Sequence, residues 1–265
     1  MTTAHVRPSE PVAPGRQLLS KVPEVTVLFW MAKVLTTGMG ETTSDYLANS
    51  MDPVIAVAIG GLGLAVALVL QFRVKQYVPW VYWLAIVMVS VFGTMAADGL
   101  HVVVGVPYAV SAPLFLVVLA VVFTWWRRSE GTLDIHSVRT VRRELFYWAA
   151  VLATFAMGTA VGDLAAHSGG LGYLEAGLVF TAAIAVPALA YWKLRMNEVL
   201  AFWIAYVLTR PLGASFADWL GAPKEHHGLA FGYGQVSAAL TVVIVLVVAV
   251  LQARHRAGRG RGERA

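Results

Sequence analysis

The sequence predicts an all-α membrane protein in which eight transmembrane helices form four parallel two-helix repeats around a pseudo-symmetry axis along the membrane normal. Three observations predict it. Hydrophobic residues make up 58% of the 265 residues and charged residues 13%, against about 45–50% and about 25% in soluble domains. Eight apolar segments each approach the ~20 residues that span a bilayer. One tryptophan motif recurs four times along the chain.

The eight segments are runs rich in Val, Leu, Ala and Ile, and their length favours helices over strands. In lipid, a helix also satisfies its own backbone within one segment. The predicted spans are 25–47, 54–72, 80–100, 109–126, 145–166, 171–192, 200–220 and 231–252. They divide the chain into a disordered N-terminal tail (1–22), repeats one and two (23–126), a linker (127–144), repeats three and four (145–252) and an Arg-rich C-terminal tail (253–265).

The distribution of positive charge predicts the orientation. Outside the spans, seventeen Lys and Arg residues fall on the side that carries both tails, whereas the opposite side has only Lys224. Positively charged loops stay in the cytoplasm. We therefore expect a multi-pass protein of the bacterial inner (plasma) membrane with both termini cytoplasmic.

A three-residue motif recurs in every odd-numbered segment, as tryptophan, then glycine ten residues later, then aspartate five residues further on. The tryptophans are Trp30, Trp83, Trp148 and Trp203; the glycines are Gly40, Gly93, Gly158 and Gly213; the aspartates are Asp45, Asp98, Asp163 and Asp218. All four motif segments run outward from the cytoplasm, so the repeats are predicted to be parallel. Because small residues permit close helix packing, we expect the odd segments to form an inner ring wrapped by the even ones.

The segments KVPEVTVLFWMAKVLTTGMGETTSDYL and NEVLAFWIAYVLTRPLGASFADWLG resemble a family of bacterial multi-pass membrane proteins built from four tandem repeats of unknown function. Each family repeat has two transmembrane stretches and a characteristic tryptophan. The resemblance covers about residues 21–252. It implies the fold and the topology, and for some members metal-ion handling, but no defined activity.

Ionisable residues inside membrane spans are costly and by default indicate function. A spacing of four residues places side chains on one helix face, and each motif segment carries such a polar stripe. The stripes are Lys33, Thr37, Glu41 and Asp45; Ser90, Thr94 and Asp98; Thr159, Asp163 and His167; and Tyr206, Arg210 and Asp218, with Ala214 in the gap. Around an axis, these stripes would line one polar cavity, which we predict to be a pathway for substrate and protons.

Converging carboxylates repel one another and need protons or a cation. Oxygen ligands with an imidazole suit Mn²⁺, Mg²⁺ or similar ions, and the absence of cysteine disfavours a thiolate site. The candidate metal ligands are Glu41, Asp45, Asp98, Asp163, Asp218, His101 and His167. Lys33 and Arg210 are predicted to be internal counter-charges, paired with Glu41 and Asp218, that release these carboxylates when a cation arrives. The sequence thus predicts a secondary transporter or exporter of a cation, with Mn²⁺ as the leading candidate, coupled to protons or membrane potential.

Two alternatives stay open. The four motif tryptophans would form a ring that binds a small organic solute, with cation–π attraction for an organic cation, although packing of the repeat is the simpler interpretation. Alternatively, the polar residues serve only the assembly of a structural or sensory membrane module, with the aspartates capping loops.

No enzyme is predicted, because GxxxxGK[ST], HExxH and GxSxG are absent. No cofactor is expected beyond a divalent metal ion as substrate. The expected partners are the lipid bilayer and a small cation or small-molecule substrate. The basic C-terminal tail indicates topology and contact with anionic lipid rather than nucleic acid, and homo-oligomerisation stays open.

Overall fold

The computed structural model describes the backbone of residues 20–262 and, apart from 167 and 260–262, their side chains. This part of the chain folds into eight long helices and contains no strand. The helices are α1 (Val27–Ser50), α2 (Pro53–Arg73), α3 (Pro79–Val102), α4 (Tyr108–Glu130), α5 (Val141–Asp163), α6 (Tyr173–Leu194), α7 (Glu198–Gly221) and α8 (Tyr233–Gly262). Each predicted span therefore coincides with one helix.

The helices run further than their apolar segments at three places. α4 continues to Glu130 and ends at Gly131, whose φ of 73° terminates the helix. α5 starts at Val141, so the linker predicted over 127–144 shortens to 131–140. α8 extends to Gly262, so the predicted tail 253–265 is helical as far as it is described. Charged side chains end a hydrophobic run without ending a helix, because Arg and Glu are good helix formers.

The predicted N-terminal tail also requires a correction where it is described. Residues 1–19 lie outside the described part, but Ser20, Lys21 and Val22 are buried. The Lys21 ammonium contacts the Glu144 carboxylate at 2.6 Å, and Gln71 donates to the same carboxylate at 3.0 Å. A buried ammonium needs such a partner, so the segment entering α1 is fastened to the start of α5.

Seven of the eight helices, α2 to α8, are long and apolar enough to cross a membrane. α1 is more polar because it contains Lys33, Glu41 and Asp45. Two of these charged side chains are enclosed by the other helices, since Lys33 is 1% and Glu41 3% exposed. The helices are consistent with a multi-pass membrane protein.

The four motif helices form a closed inner ring in which α1 contacts α3, α3 contacts α5, α5 contacts α7 and α7 contacts α1. The even helices lie outside this ring. α2 packs mainly on α3, α4 on α5, α6 on α7 and α8 on α1. Each outer helix therefore covers the inner helix of the following repeat, and α8 joins the end of the chain to its beginning.

The motif glycines allow the inner helices to approach closely. Gly40 faces Ser90, Gly93 faces Phe155, Gly158 faces Arg210 and Gly213 faces Thr37. Each facing residue lies eight positions before the aspartate of the next repeat, so one contact occurs four times around the ring. A Cβ on any of these glycines would collide with its neighbour. The predicted packing role of the glycines thus has a specific geometric reason.

We expect Gly40→Ala to lower the thermal unfolding temperature of the purified protein in detergent by several degrees. The added methyl group would overlap the Ser90 side chain and backbone, and overpacking a tight interface costs about 1–3 kcal/mol. Gly99→Ala in α3 is the matched control, because nothing lies within 4 Å of its added Cβ. Equal unfolding temperatures for the two variants would contradict the packing role.

Candidate functional site

The guanidinium of Arg210 is the centre of the inner ring and is fully buried. Its Nη2 donates to the Glu41 carboxylate of α1 and to the Thr94 hydroxyl of α3. It also donates to the Thr159 hydroxyl of α5 at 2.8 Å, and Nη1 lies 3.5 Å from the Thr37 carbonyl oxygen. One side chain from α7 thus binds all three other inner helices.

The register of the repeats explains this convergence. Glu41, Thr94, Thr159 and Ala214 all lie four residues before their motif aspartates. Arg210 belongs to the turn below, and its long side chain reaches the level of these four residues. Because position 214 is an alanine, the fourth repeat has no polar group of its own at that level. The guanidinium therefore supplies the polar contact of the fourth repeat.

A cluster of three carboxylates lies above the Arg210 guanidinium. One carboxylate oxygen each of Glu41, Asp45 and Asp218 lies within 4.8 Å of the other two. Asp218 is 5% exposed, and its Oδ1 has no hydrogen-bond partner among the residues that the structure describes. Three like charges at this spacing are unfavourable unless protons or a cation intervene, so the geometry suits a cation bound by oxygen ligands.

The other candidate ligands are placed differently. Asp98 and Asp163 interact electrostatically with Glu41 but do not belong to the cluster of three. His101 stacks on Tyr108 at 3.8 Å between ring centroids, and its Nδ1 lies 2.9 Å from the Val106 carbonyl oxygen. His101 is therefore committed to the loop between α3 and α4. The side chain of His167 is outside the described part.

Three tyrosines that were not predicted from the sequence complete the surroundings of the carboxylates. Tyr108, Tyr173 and Tyr233 are the first residues of α4, α6 and α8. Tyr108 interacts electrostatically with Asp163, and Tyr173 and Tyr233 interact electrostatically with Asp218. Their shared position at the start of three even-numbered segments was the available sequence signal.

Lys33 lies deeper in the ring than Arg210, without a polar partner. Its Nζ is 4.0 Å from the ring centroid of Phe155 and 4.2 Å from that of Tyr206, and it makes no hydrogen bond in the described part. The Lys33 ammonium therefore lies against the faces of two aromatic rings, which attract a cation. The predicted pairing of Lys33 with a carboxylate is therefore not present in this conformation.

The remaining residues of the polar stripes bond mainly to the backbone. The Thr37 hydroxyl donates to Val34 at 2.6 Å and lies 3.1 Å from the Thr209 carbonyl oxygen across the ring. Ser90 donates weakly, at 3.5 Å, to the Thr37 carbonyl. These groups hold the inner helices together beneath the guanidinium.

The motif tryptophans form an aromatic layer at the end where the inner helices begin. An aromatic residue precedes each of them, and this repeated pair was also missed from the sequence. The ring-centroid distances are 5.7 Å for Phe29–Trp83, 5.7 Å for Tyr82–Trp148, 6.2 Å for Tyr147–Trp203 and 5.7 Å for Phe202–Trp30. Each tryptophan therefore packs on the aromatic residue of the preceding repeat, and the layer fills this end of the ring.

The linker packs against the aromatic layer. The Leu133 carbonyl accepts a hydrogen bond from Trp203 Nε1 at 3.0 Å, and Ile135 and Val138 are buried. Nearby, the hydrogen bond from His136 lowers the pKa of Asp134 and raises the pKa of His136 itself. The ring is thus covered by apolar and aromatic groups at one end and lined by carboxylates at the other.

We expect Arg210→Met to destabilise the protein more when Glu41 is present than in the Glu41→Gln background. Removing one partner of a buried ion pair costs about 3–5 kcal/mol, because the other charge stays buried. A double-mutant cycle of unfolding in detergent measures the coupling. Arg142→Gln with Glu130→Gln is the control, since the Arg142 side chain is 65% exposed and such pairs contribute about 0–1 kcal/mol. Equal coupling in both cycles would argue against a central role for Arg210.

Comparison with known proteins identifies the repeat but adds no chemistry. A family model described as a Repeat of Unknown Function (DUF347) matches residues 28–77, 81–132, 146–197 and 201–257. Neither the curated proteins nor the solved structures yield a match. The four matched stretches each contain one inner and one outer helix, and together they cover most of the chain. The protein therefore belongs to the family defined by the DUF347 repeat.

Proposed function

We propose that all eight helices span the inner membrane of a bacterium, with both termini in the cytoplasm and the four repeats parallel around a central axis. The fourfold recurrence of the glycine contact and of the aromatic contact, each from one repeat to the next, supports a cyclic parallel arrangement. Exposed Val, Leu and Ile side chains on the outer helices suit contact with lipid. The seventeen positive charges on one side support the orientation.

We infer further that the protein is a secondary transporter or exporter of a cation, of which Mn²⁺ is the leading candidate. The observation that carries this proposal is the cluster of Glu41, Asp45 and Asp218, whose ligand atoms lie within 4.8 Å of one another. Carboxylate oxygens are ligands for hard divalent ions. The sequence contains no cysteine, so the site offers no thiolate for a softer ion.

Arg210 supplies a mechanism for binding and release. In the described conformation, its guanidinium neutralises Glu41 and so competes with an incoming cation for one of three ligands. A divalent ion that binds Glu41 frees the guanidinium, which then repels further cations deeper in the ring. Lys33, on α1 and one turn below the level of Arg210, adds to this barrier when it is protonated. The bound cation and the Arg210 guanidinium therefore cannot both contact the Glu41 carboxylate.

The proposed coupling to protons or membrane potential follows from charge balance. Five carboxylates, namely Glu41 and the four motif aspartates, surround one guanidinium, and Glu41 interacts electrostatically with each aspartate. A divalent ion entering such a cluster displaces protons or adds net charge. Passage to the other side requires the aromatic layer to open, because Phe29, Trp83, Trp148 and Trp203 are all buried there.

We expect Mn²⁺ to stabilise the purified protein against thermal unfolding, and Asp218→Asn to abolish that shift. A ligand that binds only the folded state adds about 2.7 kcal/mol at a hundredfold excess over its Kd. Mg²⁺, Ca²⁺ and Zn²⁺ in parallel samples measure selectivity. Asp52→Asn is the matched control, because Asp52 is an exposed residue that caps α2 and asparagine caps equally well.

If no divalent ion shifts the unfolding temperature of the folded wild-type protein, the metal proposal is wrong. An intact shift in Asp218→Asn would place the ion elsewhere. A purely structural role for the polar cluster predicts that Asp218→Asn alters stability without ions and leaves ion effects unchanged.

We also expect Arg210→Met to bind Mn²⁺ about tenfold more tightly than the wild type, because the competing guanidinium is removed. A tenfold change in Kd corresponds to about 1.4 kcal/mol of binding free energy. Isothermal titration calorimetry on folded protein measures this affinity, and reconstituted liposomes measure flux. Flux should fall even though affinity rises, because the ion is then not released. Weaker binding in Arg210→Met would show that the guanidinium supports the site rather than competing for it.

A further inference from the structure

A groove of about 700 Å³ opens beside the inner ring, separate from the carboxylate cluster. It lies between α1, α6, α7 and the linker, at the junction of the first and last repeats. Its apolar surface includes Trp30, Phe202, Ile184 and Pro187. Pockets of about 300–1,000 Å³ with mostly apolar lining are typical of small-molecule sites, so this groove has the size of a ligand site.

The groove breaks the fourfold regularity of the aromatic layer. Trp83, Trp148 and Trp203 are at most 4% exposed, whereas Trp30 is only partly buried and lines the groove. On the opposite wall, Pro187 interrupts the hydrogen-bond ladder of α6. Among the four motif tryptophans, only Trp30 therefore has a ring that a ligand in the groove can contact.

The charges of the lining are all at one end. Glu198 lies in the first turn of α7 and Asp134 in the linker, whereas Thr209 lies eleven residues along α7, about 16 Å away. The lining contains these two carboxylates and His136, but no Lys or Arg. His136 pairs with Asp134 at 3.3 Å, while Glu198 has no ion pair in the described part of the chain. The groove therefore combines an apolar body with an acidic mouth.

We propose that this groove binds an amphiphilic organic cation. The cationic group would lie near Glu198 and Asp134, and the apolar body would contact Phe202, Ile184 and the accessible ring of Trp30, whose face also attracts cations. A phospholipid fits less well, because its phosphate would meet two carboxylates and neither Lys nor Arg among the lining residues. A hydrated metal ion would gain little from the apolar walls.

The test measures equilibrium binding of tetraphenylphosphonium to detergent-purified full-length protein, with tetraphenylborate as an anion of nearly the same shape. We expect saturable binding of the cation and much weaker binding of the anion. Glu198→Gln should weaken cation binding about fivefold, as expected for a charge pair at an exposed carboxylate. Ala188→Trp should weaken it by more than about tenfold, because Ala188 lines the groove and the indole would fill it.

Matched controls identify the site. Ala182→Trp adds the same side chain to an exposed position of α6 outside the groove lining, and Glu225→Gln removes an exposed charge from the loop after α7. Both should bind like the wild type. Asp218→Asn should also bind normally, which separates this site from the metal proposal. Unchanged affinity in Ala188→Trp and Glu198→Gln, or equal affinity for the cation and the anion, would overturn the proposal.

Discussion

The close approach of neighbouring inner helices at the motif glycines is the constraint on which the rest of the structure depends. Without a side chain at these four positions, the next helix can insert the residue that lies eight positions before its own aspartate. The same contact closes the ring, because Gly213 of the last repeat receives Thr37 of the first. In a membrane, such packing substitutes for the hydrophobic driving force that water provides.

Within this regular arrangement of helices, the charged side chains of the site lie at positions where the four repeats carry different residues. The inserted residues are Thr37, Ser90, Phe155 and Arg210, so at this level only one repeat delivers a cationic side chain. The level above contains Glu41, two threonines and Ala214, so only one repeat delivers a carboxylate there. The single Arg210–Glu41 ion pair is thus a product of divergence between repeats that keep the same backbone geometry.

The two ends of the ring have opposite character. Eight aromatic residues fill one end, and the linker and the segment around Lys21 pack beneath them. At the other end, carboxylates gather next to the tyrosines that begin α4, α6 and α8. Along the axis, the carboxylates are followed by Arg210, then Lys33, then the aromatic layer. An ion taken up as proposed would meet these charged and aromatic groups in series.

The sequence by itself determined the eight helices, the four repeats and the candidate carboxylates. The length of an apolar segment and the spacing of a motif are local properties that do not depend on how the helices pack. It also indicated that Lys33 and Arg210 matter, because ionisable residues in apolar segments are rare. It did not separate Asp45 and Asp218 from Asp98 and Asp163, since all four occupy equivalent positions.

Tertiary structure alone decided which groups meet. It paired Arg210 with Glu41 rather than Asp218, left Lys33 between two aromatic rings, and placed His101 against the Tyr108 ring and the Val106 carbonyl. It also placed each outer helix on the inner helix of the following repeat and left a groove between α1, α6, α7 and the linker. These outcomes depend on rotation and on contacts across the ring. A linear spacing fixes the face of a helix but not the residue that the neighbouring helix presents to it.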